Sequence, residues 1–443
     1  MAASIFDSVL YRDLLHDAEV GALFSDGAEL RAMLLVEGAL AEAQGTLGLI
    51  PEASAAAIAR AAREVVLDPG ALARETAVNA VCVPALVAAF RTAMGAPEHA
   101  AWVHWGATSQ DIIDTALMLR LGRLCDILDA RLVALIAALG SLAERHAALP
   151  MAARTWGQAA TPTSFGAVVA GWGWPVLRHR ARLAALRPRL LCASLAGAAG
   201  TLAAMGPQGP EVERRMAGAL GLGLAEGNWH AGRDNIAEFA GWLAQMAGSL
   251  AKMGEDLLIL ARSDVGEVRI GGGGGSSTMP QKQNPVAPSL IVALARFANA
   301  QAGAVTAALP HREARDAAAW ITEWLALPGL AMAAARALAL AAELPTRLVP
   351  QPARMAANID LDGLGLIHAE ALSFALARLM PRPEAQAAVK ALCKQAQAEG
   401  MPLAQLVAAR WPEHDLAAAF DPAAYLGTAP TEAHAFAAAA RAG

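Results

Sequence analysis

Between Ile236 and Leu260 the chain repeats large apolar residues every seven positions: Ile236, Leu243, Leu250 and Leu257 in one series, Phe239, Met246, Met253 and Leu260 in the other. Two series offset by three make four consecutive a/d heptads, the spacing of a helix that packs along its whole length. The stretch holds no proline and only three interior glycines. At 1.5 Å per residue it spans roughly 35 to 40 Å, which belongs in an extended bundle. A second proline-free segment, 112–149, places Leu117, Leu121, Leu124, Leu128, Leu132, Leu135, Leu139 and Leu142 at steps of three and four, again one helical face. Asp111 or Ser109 can cap its start. Segments 288–308 and 317–344 repeat the pattern, and Pro328 is expected to kink the second.

Runs of alternating polarity are nearly absent and none is flanked by hairpin dipeptides, so a sheet of any size is not expected. Apolar residues make up 56% of the chain, aromatic ones 5% and charged ones 17%, and the dominance of alanine favours close-packed helices. The fold class expected is all-α. Breaks in the helical pattern at 95–105 and 348–352 divide it into an N-terminal helical domain, 1–105, a central long-helix bundle, 106–348, and a C-terminal helical domain, 349–443. The long helices carry more apolar positions than one seam buries, which fits an oligomer, with a thicker monomeric bundle as the alternative.

A net charge of −5 and the absence of a Lys/Arg run argue against a nucleic-acid partner. The longest charge-free stretches, such as 155–177, contain Pro162, Pro175, Gln158 and several glycines, so no membrane span is expected. Residues 1–19 mix Asp7, Arg12, Asp13, His16, Asp17 and Glu19 without an apolar segment, so a secretory signal is not expected and a cytoplasmic protein is. The cysteines at 82, 125, 192 and 393 lack CxxC or CxxH spacing, which points to reduced thiols and to no zinc site.

The stretch that no packed helix explains is Gly271–Pro285, GGGGGSSTMPQKQNP. Five glycines are costly to order, so the run is expected to be a loop whose amides can meet an oxyanion when closed. A flexible linker would not lead into the defined polar set Ser276, Ser277, Thr278, Lys282 and Asn284. Phosphate-cradling motifs fail on spacing: no GxGxxG follows a strand, and Lys282 lies seven residues past the last glycine.

GSSTMPQKQNP, from Gly275 to Pro285, resembles the signature loop of the fumarase/aspartase superfamily, GSSxMPxKxNP. The resemblance implies that Ser276 is the catalytic base, that Lys282 and Asn284 bind a substrate carboxylate, and that Met279 lies against the substrate. HWGATSQDIIDT, His104 to Thr115, is similar to the H-x-G-x-T-S-x-D block, which places His104, Thr108, Ser109 and Gln110 in the active site and counts His104 among its catalytic residues. On its own such a cluster is more often a helix cap than a binding site, and Asp111 fits that role. RTWGQAATPTSFG, Arg154 to Gly166, resembles R-T-H-G-Q-x-A-x-P-x-T-x-G, which assigns Thr155 and Gln158 to substrate contact.

Here the sequence departs: the histidine that serves as general acid in adenylosuccinate lyases is Trp156. Expelling an amine requires a proton on the leaving nitrogen as well as a base at carbon. A cycloisomerase, in which a substrate carboxylate adds to its own double bond, expels nothing and moves one proton at carbon. Trp229-His230 with Arg233-Asp234, and WITEWLALP from Trp320 to Pro328, resemble the muconate cycloisomerase branch. They make Arg233 and Arg315 candidate clamps for substrate carboxylates, although Glu313-Ala314-Arg315 stands where the family has H-E-R.

The resemblance, from about His104 to Arg354, implies a small-molecule tricarboxylate substrate, no cofactor, no metal, and a homotetramer whose active sites are shared between subunits. An adenylosuccinate lyase or another polycarboxylate lyase of the same fold is disfavoured by Trp156. An inactive helical scaffold is disfavoured because Ser276, Lys282 and Asn284 are intact.

Overall fold

The computed structural model describes residues 4–272, 274–275, 278–279 and 282–442. The fold is all-α. Its long helices are Ser109–Arg145, Phe165–Leu190, Asp234–Leu260, Val286–Ala307 and Ala317–Arg347. All eight residues of the two heptad series are buried, as are the leucines from 121 to 142, while Leu117 is half-buried. The Ala317–Arg347 helix runs unbroken through Pro328; burial of Leu327, Leu330 and Ala331 around it offsets the lost N–H bond.

The chain forms two compact units, Met1–Ala130 with His179–Gly248 and Leu294–Ala337, and Arg131–Arg178 with Ser249–Ala293 and Leu338–Gly443. Every boundary between them falls inside one of the five long helices.

In the first unit the Asp26–Thr46 helix packs closely on Glu52–Glu64. Gly38 and Gly45, seven residues apart, face Ala62 and Ala55, and a methyl group built on Gly38 would lie 2.9 Å from the Ala62 Cβ. The missing side chains let the two backbones approach. In the second unit a C-terminal cluster of Leu372, Leu376, Leu392, Leu403 and neighbours closes its own core.

The expectation of no sheet needs correction: the described residues include three two-stranded sheets. The largest is a hairpin of β1 (Pro150–Thr155) and β2 (Gln158–Ser164), paired from Pro150↔Ser164 to Thr155↔Gln158. Its two-residue turn is Trp156-Gly157, with φ of 55° and 76°, the sign pattern of a type I′ turn that suits right-twisted strands. The usual signal is Asn-Gly or Asp-Gly, so Trp-Gly gave no warning. β3 (Val268–Ile270) pairs with β6 (Leu348–Pro350), and β4 (Gly274–Gly275) with β5 (Gln283–Asn284).

Among the described residues two helices, Val286–Ala307 and Ala317–Arg347, are long and apolar enough by composition to cross a membrane. Of the most apolar window of the second, 67% is buried inside the fold, against 39% for the first.

Candidate functional site

In the first unit His104 lies in the loop ahead of the Ser109–Arg145 helix, with φ at 64°. Its Nδ1–H donates to Glu37 Oε1 at 2.7 Å, and the Glu37 side chain is fully buried. Burial alone lowers the imidazole pKa, but the charge and hydrogen bond of Glu37 outweigh it, so His104 titrates above its ordinary value. Thr108 and Ser109 are half-buried. Asp111 is a structural pin: its carboxylate accepts the backbone N–H of Thr108 at 2.8 Å, as in one half of a capping box, together with those of Ala196 and Gly197 and the His230 Nε2–H at 2.8 Å.

Two expected substrate contacts are engaged within the fold. Arg233 is buried, and its guanidinium is shared between two acids. Nε and Nη2 donate to Glu323 at 2.9 and 2.6 Å, while Nη1 and Nη2 donate to Asp114 at 2.6 and 3.2 Å. A guanidinium has five N–H groups, and those bonds leave no fork for a substrate carboxylate. Burial works to lower its pKa, but Asp114 and Glu323 prevail and hold it above its ordinary value. Trp229 stacks under it at 4.9 Å.

Gln110 is equally committed. Its Nε2 donates to Asp114 at 3.1 Å and to the His230 carbonyl at 2.9 Å, and its Oε1 accepts from Arg315 Nε at 2.9 Å. Arg315 differs from Arg233: Nη2 is buried and has no partner among the described residues. Gln110 therefore holds Arg315 through Nε and leaves its buried Nη2 a donor still to be satisfied.

The second unit carries the other motif residues. Thr155, Trp156 and Gln158 are exposed at the tip of the β1–β2 hairpin, Trp156 at 101%. The hairpin is tied near its turn by Arg154, which donates bidentately to Glu267 at 2.8 and 2.7 Å. Glu267 is fully buried and also accepts from Asn358 Nδ2 at 2.8 Å. Glu267 immediately precedes β3, so one carboxylate fixes both the hairpin and the strand that feeds the glycine-rich loop.

That loop is closed at its base by the β4–β5 pairing Gly274↔Asn284 and Gly275↔Gln283. Met279, Lys282 and Asn284 are exposed. Ser276 lies outside the described residues. Lys282 and Asn284 line a groove of 780 Å³ with Arg262, Arg269 and Arg354. Arg262 is paired with Asp264, and Arg354 donates to the carbonyls of Asp264 and Val265. The groove wall is strongly cationic, as an anion site requires.

Several residues escaped the sequence reading. Glu37 stands out only as an acid within the apolar run AMLLVEGALAEAQG, a visible signal. Glu267, Asp114 and Glu323 give none, because burial of an acid against an arginine distant in sequence is a property of the fold. Glu213, on the Gly209–Leu220 helix, is pushed up to about 7, first by burial and then by the charge of Asp111.

The sequence matches the lyase family over residues 17–298 and the adenylosuccinate lyase C-terminus family over 365–436. A 3-carboxy-cis,cis-muconate cycloisomerase of Pseudomonas aeruginosa is 41% identical over 423 residues, 93% of this chain and 92% of that protein. A nitrosuccinate lyase of Streptomyces davaonensis is 39% identical over 448 residues, 97% and 94% of the two. The crystal structure of the 3-carboxy-cis,cis-muconate lactonizing enzyme of Pseudomonas putida superposes with a TM-score of 0.93 at 36% identity, covering 98% of this chain and 99% of that one. Motifs, fold and relatives agree: the chain belongs to the lyase family of fumarase/aspartase fold that includes the 3-carboxy-cis,cis-muconate cycloisomerases.

Proposed function

We propose that the protein interconverts 3-carboxy-cis,cis-muconate and carboxymuconolactone, a step of the protocatechuate branch of the β-ketoadipate pathway. The observation that carries this reading is Trp156. In a block that otherwise keeps the threonine and glutamine of the lyases, the position of the amine-protonating acid holds an indole, which neither gives nor takes a proton. Identity of about 40% to proteins bearing the cycloisomerase name supports it.

In the forward direction a substrate carboxylate oxygen bonds to one carbon of the double bond. The π pair moves toward the carboxylate on the neighbouring carbon, and that carbon takes one proton; nothing leaves. The charge that builds on this aci-carboxylate is what preorganised donors stabilise, often by several kcal/mol. Lys282, Asn284 and Arg315 are assigned that task, and Ser276 the proton transfer. Serine is a poor acid or base in water, so it needs the closed loop and its positive field.

A homotetramer with shared active sites fits the Val286–Ala307 helix, of which only 39% of the apolar window is buried by its own chain. A cytoplasmic location fits a step in the degradation of aromatic compounds.

The test is the loss of muconate ultraviolet absorbance on mixing enzyme with 3-carboxy-cis,cis-muconate. Rapid, EDTA-resistant loss in the wild type and its disappearance in Ser276→Ala are expected. Cleavage of adenylosuccinate or of nitrosuccinate in parallel, with the muconate untouched, would refute the assignment.

A further inference from the structure

Three consecutive loop residues ahead of the Ser109–Arg145 helix are each gripped by a long polar side chain. Arg91 Nη2 donates to the Val103 carbonyl at 2.9 Å, His104 donates to Glu37 at 2.7 Å, and Gln44 Nε2 donates to the Trp105 carbonyl at 2.7 Å. Glu37 and Gln44 are seven residues apart on the buried Asp26–Thr46 helix, so they share a face. The residue held in the middle, His104, has a φ of 64°, a region that side chains larger than glycine avoid. Such strain persists only where the surroundings over-determine it, and it gathers at functional sites.

The electrostatics point the same way. Glu37 Oε1 accepts from His104, and Oε2 is buried without a partner among the described residues. A buried carboxylate with one partner is tolerable as an anion only if that partner is a cation. The charged groups facing His104 are Glu37 from the Asp26–Thr46 helix, Asp111 from Ser109–Arg145 and Arg91 from Val83–Met94. Arg91 opposes protonation, but Glu37 and Asp111 together overcome both it and burial.

We propose that Glu37 is a positioning residue for the lactonisation: by accepting Nδ1–H it fixes the His104 ring and keeps it cationic, so that Nε2–H offers charge and a hydrogen bond to one substrate carboxylate. This rests on the cycloisomerase reading. Nε2 takes no hydrogen bond among the described residues, which leaves it open for that purpose. No bond is made or broken at the pair; its charge holds one substrate carboxylate alike before and during C–O bond formation, which places its effect in KM.

The experiment compares wild type with Glu37→Gln and His104→Asn. Labelled histidine is followed by NMR across pH, and the His104 signal is identified among ten histidines by its loss in His104→Asn. KM and kcat for 3-carboxy-cis,cis-muconate are measured over the same range. In the wild type His104 should titrate above the ordinary imidazole range, and Glu37→Gln should bring it down. At neutral pH KM should rise about ten- to a hundredfold, the loss of one charge-assisted hydrogen bond, with a smaller change in kcat. Lowering the pH should restore KM by restoring the charge, which a merely structural clamp would not do.

An unmoved titration, or a KM defect independent of pH, overturns the proposal while an active wild type keeps the cycloisomerase reading. A wild type inert toward the muconate sinks that reading first. If Glu37→Gln does not fold, His104→Asn carries the test: it must show the raised KM at every pH, and a wild-type KM there overturns the proposal.

Discussion

The Glu213 carboxyl takes no hydrogen bond among the described residues and sits half-buried, with burial first and Asp111 second pushing it up to about 7 from 4.5. A folded pKa above the unfolded one means that the group favours the fold below pH 4.5, and that this contribution is lost as pH rises through 7. Glu213→Gln should therefore melt higher than wild type at pH 8, with the gap closing toward pH 4; a constant gap in calorimetry would argue against it. The two arginines expected as clamps separate in the same way. Arg233→Ala strands Asp114 and Glu323 in the core and should cost about 3–5 kcal/mol in urea unfolding. Arg315→Ala frees only Gln110 and should cost about 1 kcal/mol of stability, its main effect being a fall in kcat/KM. Both residues were legible as arginines in family blocks. Which one keeps open donors was not, because that depends on Asp114, Glu323 and Gln110, brought together from positions 110 to 323.

Among the elements, the heptad helix was the most legible, since a period of seven kept over four repeats has one structural solution. The β1–β2 hairpin was the least legible. Its strands lack alternation, its register slips between Ala152 and Arg154, and its turn spends a tryptophan on a left-handed backbone position. An L-residue pays roughly 1–2 kcal/mol for that geometry, whereas asparagine tolerates it. Trp156→Asn should leave the melting temperature of the chain level or up by a few degrees, because a ring exposed at 101% loses no contact within it. KM for the muconate should rise if the exposed ring meets the substrate. A drop in melting temperature at unchanged KM would mean that the indole serves the fold alone. The glycine-rich loop was legible by motif, and its β4–β5 base pairs Gly275 with Gln283, which brings the start of the signature close to its end.

At the scale of the whole molecule, apolar surface remains on a single chain at Val66, Val78, Leu325 and Leu361 as well as along Val286–Ala307. Sedimentation equilibrium should give the mass of four 45.6 kDa chains, and a monomer at micromolar concentration would contradict the shared-site assembly. Within the first unit, the glycines that let two helices touch stand one residue from the side chains that grip the loop: Gly38 follows Glu37, and Gly45 follows Gln44. One residue is about 100° of helical rotation, so the contact face and the gripping face turn as one body, like the teeth and the shaft of a gear. A methyl group at position 45 cannot be absorbed where it would meet Ala55; the helix has to roll or lift, and Glu37 and Gln44 swing with it. A substitution remote from any substrate could thus detune the active site, and it would be felt as poor affinity before it was felt as poor folding.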